Sequence, residues 1–362
     1  MMKLSDVCTK GTSNIAQKDL DARNGTYPIY GASGLIKNVD FYHQEKPYIA
    51  IVKDGAGVGR VMQLPAKSSV IGTMQYIIPN EGVSVEYLAY ALEHMNLSKY
   101  YLGAAIPHIY FKDYCSETLP NHTPEEQAHI SHVLGLVCNL ISLRKQQLSK
   151  LDELVKSRFI ELFGDPLYNK MNWNIDTVEN LCSNIYGGGT PSKSHPEYYE
   201  NGDIPWVSSK DMKTDVLYDS QIRINQLGVD NSTAKMVPIN SVIMVIRSGI
   251  LKHTLPVAIN AVPITVNQDL KVFIPSNQIL SVFLMYQFKM LEKDILSGVR
   301  AVTADNIEFN SLKERMIIVP PIELQNQFAT FVEQTDKSKL EVKKSLEKLE
   351  TLKKSLMQQY FG

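Results

Sequence analysis

Two stretches of the chain nearly coincide. Residues 145–164 read KQQLSKLDELVKSRFIELFG, and residues 343–362 read KKSLEKLETLKKSLMQQYFG. At an offset of 198, nine of these twenty positions are identical, including Leu148/Leu346, Leu151/Leu349, Leu154/Leu352, Phe163/Phe361 and Gly164/Gly362. A repeat of so long a period means two copies of one structural unit, which restricts the fold to a pseudo-twofold plan. A chain of 362 residues also divides naturally into two domains, each large enough to bury its own core.

The repeat lies in two helical patterns. Thr123 is a plausible N-cap, Pro124 suits a first turn, and Glu126 stands three residues after the cap. Apolar residues then recur with helical spacing from Ile130 to Val155, until Gly164-Asp165-Pro166 stops the pattern. The second copy starts after Pro320-Pro321 and carries a stripe from Phe328 to Leu356. Each helix should span about 39 residues, roughly 58 Å. A helix of that length cannot pack inside a small globule, so the two are expected to pair as an antiparallel coil. Leu134, Ile141, Leu148, Leu151 and Val155 should pack against Val332, Val342, Leu346, Leu349 and Leu356, with Arg144, Arg158, Lys339 and Lys353 as polar interruptions that fix register.

Between the helices the same landmarks return. Ile49–Val52 echoes Val242–Ile246, Tyr76–Pro79 echoes Lys271–Pro275, and each is followed by a short helix (85–96 and 279–291). A glycine, an Ile-x-Phe strand (Ile109–Phe111, Ile307–Phe309) and the long helix come next. Short β-branched runs broken by Gly, Pro and Asn predict α+β globules on mixed, twisted sheets. The organisation is thus a first globule over 1–122, a helix over 123–164, a second globule over 165–321 and a helix over 322–362. Residues 11–45 and 186–240 share almost nothing in sequence. One scaffold kept constant around variable segments suits a protein that reads two different things.

Composition excludes more than it selects. Net charge is −1, and the four regions carry basic and acidic counts of 11 and 11, 5 and 5, 14 and 16, and 7 and 6. A nucleic-acid surface, if present, must come from the placement of charge. Cys8, Cys115, Cys138 and Cys182 are scattered without a CxxC pair, so neither a zinc site nor a disulfide framework is expected. No apolar run reaches the ~20 residues of a membrane span, and MMKLSDVCTKG lacks a signal-peptide h-region. No nucleophile elbow, HExxH, Walker loop or nuclease carboxylate pair is present, so no catalytic residue is assigned.

Candidate contact residues come from loops at strand ends. Lys53-Asp-Gly-Ala-Gly-Val-Gly59-Arg60 is GxGxG followed by a strand, not the helix that a dinucleotide site requires. A tight hairpin that approaches a ligand closely is the better reading, with Lys53 and Arg60 reaching phosphates or base edges. Asp165-Pro166-Leu167-Tyr168 is read as a helix exit despite its likeness to an adenine methyltransferase tetrapeptide. The glycine loop at 187–193 offers Thr190, Ser192 and Lys193, and the turn after Trp206, itself expected in the core, offers Ser208, Ser209 and Lys210. Arg247 is assigned the frame position of Lys53 and is joined by Lys252, His253 and Arg300. Ser33, Lys37, His108, Tyr110 and Lys112 complete the set in the first half.

The order of these features resembles the specificity (S) subunit of Type I restriction–modification systems over essentially the whole chain. The carriers are Tyr27-Pro-Ile-Tyr-Gly-Ala-Ser-Gly34, Gly187-Gly-Gly-Thr-Pro-Ser192, Ile204-Pro-Trp-Val-Ser-Ser-Lys-Asp-Met212, the helix starts Pro-Glu-Glu-Gln127 and Pro-Ile-Glu-Leu-Gln325, and the two Phe-Gly exits. The second helix start departs from the usual pair of acids by having Leu324. The resemblance implies two target-recognition domains that each read half of a split, asymmetric site in double-stranded DNA. It implies helices that separate them and dock two methyltransferase subunits, with nuclease/translocase subunits joining. The chain itself is then non-catalytic and cytoplasmic, without cofactor or metal, while S-adenosylmethionine, ATP and Mg belong to the partner subunits. An adenine methyltransferase in its own right, or a coiled-coil assembly protein, are the readings from other classes.

Overall fold

A computed structural model of the chain describes residues 1–101, 107–298, 300–301 and 305–362, the side chains of 300–301 excepted. It divides into two compact units, Met1–Gln147 with Val342–Gly362, and Leu148–Glu341. Helices and strands are mixed in both, as the α+β reading expects.

In the first unit an antiparallel sheet runs in the order Cys8–Thr12, Met74–Pro79, Tyr48–Val52, Val61–Leu64. Tyr48–Val52 is apolar at all five positions and wholly buried, as a central strand covered on both faces must be. Ile49 and Ile51 join a cluster with Tyr87, Leu88 and Leu92 of the helix Val85–His94. Tyr48, Ala50 and Val52 face the other way, into a cluster with Met74 and Tyr76. A second sheet sets Gly34–Val39 antiparallel and Ser69–Val70 parallel to Tyr27–Gly31.

The second unit repeats this plan. Its larger sheet runs Cys182–Gly187, Leu270–Pro275, Val242–Val245, Val257–Asn260, Val216–Leu217. Its smaller sheet sets Arg223–Ile224 antiparallel and Thr265–Val266 parallel to Ile204–Val207. Segments with little sequence likeness therefore take the same pairing. Register confirms it, since Ile29 pairs with Ser69 and Trp206 with Thr265, each one residue after a proline. What recurs there is strand polarity and burial, which many sequences satisfy.

The two long helices span Pro124–Phe163 and Ile322–Phe361, 40 residues each. Thr123 and Glu126 exchange bonds, Thr123 N–H to Glu126 Oε2 at 2.8 Å and Glu126 N–H to Thr123 Oγ1 at 3.2 Å. Gly164 ends the first helix at φ +74°, where a side chain is strained. The glutamines near the helix starts have a clear purpose. Gln127 is buried, accepts from Ser84 N–H at 3.0 Å and donates to His122 O, while Gln325 accepts from Leu280 N–H at 2.9 Å and donates to Pro320 O. Each thus ties a long helix to the start of the short helix in its own unit.

Within the first unit, Leu134 and Ile130 of one long helix share a cluster with Met357 and Phe361 of the other, and Lys145 meets Glu350 at 3.3 Å. Within the second, Val155, Phe159 and Phe163 pack with Phe328 and Val332, and Lys339 meets Asp152 at 2.7 Å. Both sets of contacts run antiparallel. Of the remaining anticipated packing residues, Val342 is buried, and Ile141, Leu148, Leu151, Leu346, Leu349 and Leu356 are half-buried. The polar interruptions divide: Lys339 and Lys353 bond to Asp152 and Glu93 on other elements, Arg158 bonds to Glu161 of its own helix and lies 5.8 Å from the centre of the Phe331 ring on the other long helix, and Arg144 bonds within its own helix.

One element differs from expectation. Ile109–Phe111 and Ile307–Phe309 are not strands. Ile109 N–H donates to Lys53 O and Ile307 N–H to Ile246 O, after which the chain turns into short helices, Phe111–Tyr114 and Phe309–Lys313. Each isoleucine fills a core slot beside an isolated bridge, formed by His108 with Asp54 and by Asn306 with Arg247, and the pairing does not continue past it among the described residues.

Candidate functional site

In the first unit, three loops meet. The hairpin turn at Ser33, the glycine turn Gly55–Gly59 and the segment 107–112 are linked by bonds from Arg60 Nη1 to Ala32 O (2.7 Å) and from Gly55 N–H to Pro107 O (3.0 Å). Ser33, Arg60, Tyr110 and Lys112 are exposed there, and Lys112 Nζ lies 5.2 Å from the centre of the Tyr110 ring. Lys53 is half-buried and has no ion pair among the described residues. The imidazole of His108 is bonded through Nδ1 to Asp54 and stands edge-on to Tyr110, with ring centres 4.1 Å apart. Lys37 is less available, because its Nζ is held by Leu20 O and Asn24 Oδ1.

The glycine turn joins two antiparallel strands and is a hairpin. Its glycines do different jobs. Gly55, at φ +89°, faces open space, whereas a Cβ on Gly59, at φ +85°, would lie 2.5 Å from Ser98 N. The close approach at Gly59 is thus to the protein's own backbone.

In the second unit, the glycine loop is packed inward. A Cβ on Gly188 would lie 1.9 Å from Val266 O, and Gly189 O accepts from the buried Trp206 Nε1 at 2.9 Å. Thr190 is bonded to Gln268, and Ser192 to Ser194. Ser208 is half-buried and tied through N–H and Oγ to Asp211, Ser209 follows it in the same turn, and Lys193 and Lys210 are exposed. Arg247 Nη2 meets Asp269 Oδ1 at 2.6 Å, and Lys252 meets Asp305 at 3.8 Å. His253 is exposed at the end of a 3-10 turn. Arg300 lies outside the described residues as far as its side chain is concerned.

The backbone corrects one assignment. Lys53 N–H and Asp54 N–H both donate to Thr73 O, and Lys53 O accepts from Ile109. Ile246 N–H and Arg247 N–H both donate to Asp269 O, and Ile246 O accepts from Ile307. Lys53 therefore corresponds to Ile246, and Arg247 to Asp54. The two strands differ by one residue in where the positive side chain stands, which a sequence echo cannot resolve.

Three residues escaped the sequence reading: Asp54, Asp269 and Lys271. Lys271 lies with its Nζ 4.4 Å from the centre of the Phe309 ring. Burial, and then the nearby charge of Arg247, push its ammonium below the usual lysine range. The thiols of Cys8 and Cys182 are pushed up to about 12, mainly by burial, so they are core groups without nucleophilic character. Among the described residues no cluster of His, Cys, Asp or Glu could hold a metal, and no helix is long and apolar enough to cross a membrane. The two faces offer hydrogen-bond donors, acceptors and cations on loops, the chemistry of recognition at a polar surface.

A model of the Type I restriction modification DNA specificity domain matches residues 1–153 and 171–353. The specificity subunit of the Type I restriction enzyme EcoR124I/EcoR124II of Escherichia coli is 37% identical over 153 residues, 42% of this chain and 38% of that protein. The MjaIX specificity subunit of Methanocaldococcus jannaschii is 25% identical over 279 residues, 71% of this chain and 63% of that protein. The chain thus spans less than two thirds of either relative. The crystal structure of a Type I S subunit from M. genitalium superposes with a TM-score of 0.64 at 15% identity, covering 100% of this chain and 95% of that one. A chain from a study of complex assembly and conformational transition of the type I R-M system gives 0.56, also at 15% identity, covering 99% and 96%. These two likenesses bear on the fold alone.

Proposed function

The chain belongs to the Type I restriction modification DNA specificity family, and from that premise we propose that it is the sequence-reading subunit of a restriction–modification complex. Each globule reads one half of a split, asymmetric site in duplex DNA. Residues 1–122 and 165–321 are the two readers, and the helical segments 123–164 and 322–362 hold them and dock two methyltransferase subunits, with nuclease subunits joining. The chain is non-catalytic on this reading. S-adenosylmethionine, ATP and Mg serve the partners, one of which flips the target adenine from the stack, and the complex acts in the cytoplasm.

One observation carries the reading: the same two-sheet frame occurs twice, while the loops on it differ in length and chemistry. Phosphate contacts from exposed cations would position each globule, and a few side chains in the major groove would specify the bases. Replacing residues 1–122 by the first globule of another family member tests it. Mapping modified adenines in cells carrying the hybrid complex should show one half of the recognised site changed and the other retained. A change in both halves, or in neither, would overturn the assignment.

A further inference from the structure

The frame correspondence places residues of opposite polarity at one position. Asp54 and Arg247 sit at the same point of the repeated backbone, each donating its N–H to the carbonyl of the residue just before the neighbouring core strand, Thr73 or Asp269. Each also forms an isolated antiparallel bridge, Asp54 with His108 and Arg247 with Asn306. In both, one side of the charged group is held by a partner of opposite character. His108 Nδ1 holds Asp54 Oδ1. Asp269 Oδ1 holds Nε and Nη2 of Arg247, at 2.7 and 2.6 Å, and Asp269 Oδ2 is itself held by Asn267 Nδ2 at 3.0 Å. The other side is free among the described residues: Asp54 Oδ2 and Arg247 Nη1 have no hydrogen-bond partner there. The two side chains are 29% and 48% exposed. A group fixed on one side and open on the other is oriented for an outside partner, because little rotamer freedom is left to lose on contact.

Resting on the DNA-reading function above, we propose that Asp54 and Arg247 are specificity-determining residues of opposite hydrogen-bond polarity. Asp54 accepts from an exocyclic amine on a base edge, cytosine N4 being the favoured donor for a carboxylate. Arg247 donates to guanine O6 or N7. Because an acid repels phosphates, Asp54 contributes selectivity while Arg60 and Lys112, exposed on the same loop cluster, supply the attraction. His108 and Asp269 are positioning residues, which hold the reader without touching DNA.

The experiment selects from a randomised duplex library with the full complex, chain plus methyltransferase subunits, and sequences the bound fraction. Wild type should enrich a two-part site. Asp54→Asn, which keeps the shape and turns half of the acceptor into a donor, should relax preference at one base pair of one half by roughly tenfold or more. Arg247→Gln should do the same at one base pair of the other half. His108→Gln should weaken the Asp54-dependent preference, and a double variant with Asp54→Asn should add nothing. Thermal melting accompanies each variant, and Asp54→Ser replaces Asp54→Asn should the latter melt early. A wild-type site retained at every base pair by both variants overturns the proposal while leaving the DNA-reading function intact. Relaxation of both halves by either single variant also overturns it. Failure of wild type to enrich any sequence sinks the function itself.

Discussion

Lys271 holds its charge against its surroundings. Burial and the neighbouring Arg247 both oppose it, and the Phe309 ring offsets part of that cost. A lysine whose folded pKa is depressed destabilises the fold while protonated, so stability from this group rises as pH climbs through the window just below the ordinary lysine value of about 10.4. A phosphate oxygen beside it would offset that cost and raise its pKa again. On the proposed function, and with Lys271 against a phosphate, Lys271→Met is expected to lower affinity about equally for all DNA sequences and to reduce the slope of log K against log salt by about one. Binding titrations over a salt series check it, and an unchanged slope would remove Lys271 from the contact set. The sequence revealed Lys53 and Arg60 because a run of glycines flags a loop. Lys271 and Asp269 carry no such local mark, and Asp54, though inside the same glycine run, is passed over because an acid does not suggest contact with a phosphate. Arg247 and Asp269 lie 22 residues apart and meet only because their segments hang side by side from one core sheet.

At the scale of elements, the long helices were the most legible part. Their apolar period, the Thr123/Glu126 cap and the Gly164 stop are local signals, and each has its bond or dihedral in the structure. The Ile-x-Phe pattern predicts strands where the chain instead turns into short helices, because β propensity describes a side chain's fit in a buried slot, not the presence of a neighbour. Mixed sheets are expected from the sequence, but which strands pair in parallel is not legible there, since the pairing joins segments distant in sequence. Lys339 shows how the helices hold together within the second unit. Burial opposes its charge, but bonds to Asp152 and Asp336 prevail and raise its pKa. The raised pKa sets the sign: the stabilisation is complete below about pH 10.4 and is lost as pH rises through the folded value. Asp152 is 63% exposed, so solvent screening limits the pair to about 1 kcal/mol. Lys339→Met should then lower the melting temperature by roughly 1–2 °C at neutral pH. The difference should shrink above the lysine range, and melting curves at pH 7 and pH 11 test this. A deficit that grew with pH would show that the ion pair is not its source.

At the scale of the whole molecule, the duplication governs what can vary independently. Each long helix gives residues to both units, 124–147 and 342–361 to one and 148–163 and 322–341 to the other. Net charge of −1 gave no hint of a nucleic-acid partner, because cations such as Lys53, Lys193 and Lys210 are balanced by acids elsewhere. On the proposed function, the helices set the separation between two readers whose own chemistry is independent of it. Four residues inserted after Gln147, matched by four after Glu341, lengthen both helices by about 6 Å and turn them by roughly 40°. Along a duplex with a turn of about 34–36 Å per 10–10.5 base pairs, that corresponds to about two base pairs. Mapping modified adenines for this variant should return the same two half-sites with a gap changed by about two base pairs. A gap that stays fixed would mean that the partner subunits set the spacing. Altered half-sites would mean that the globules do not fold and read as independent units, and would count against the duplicated-reader scheme itself.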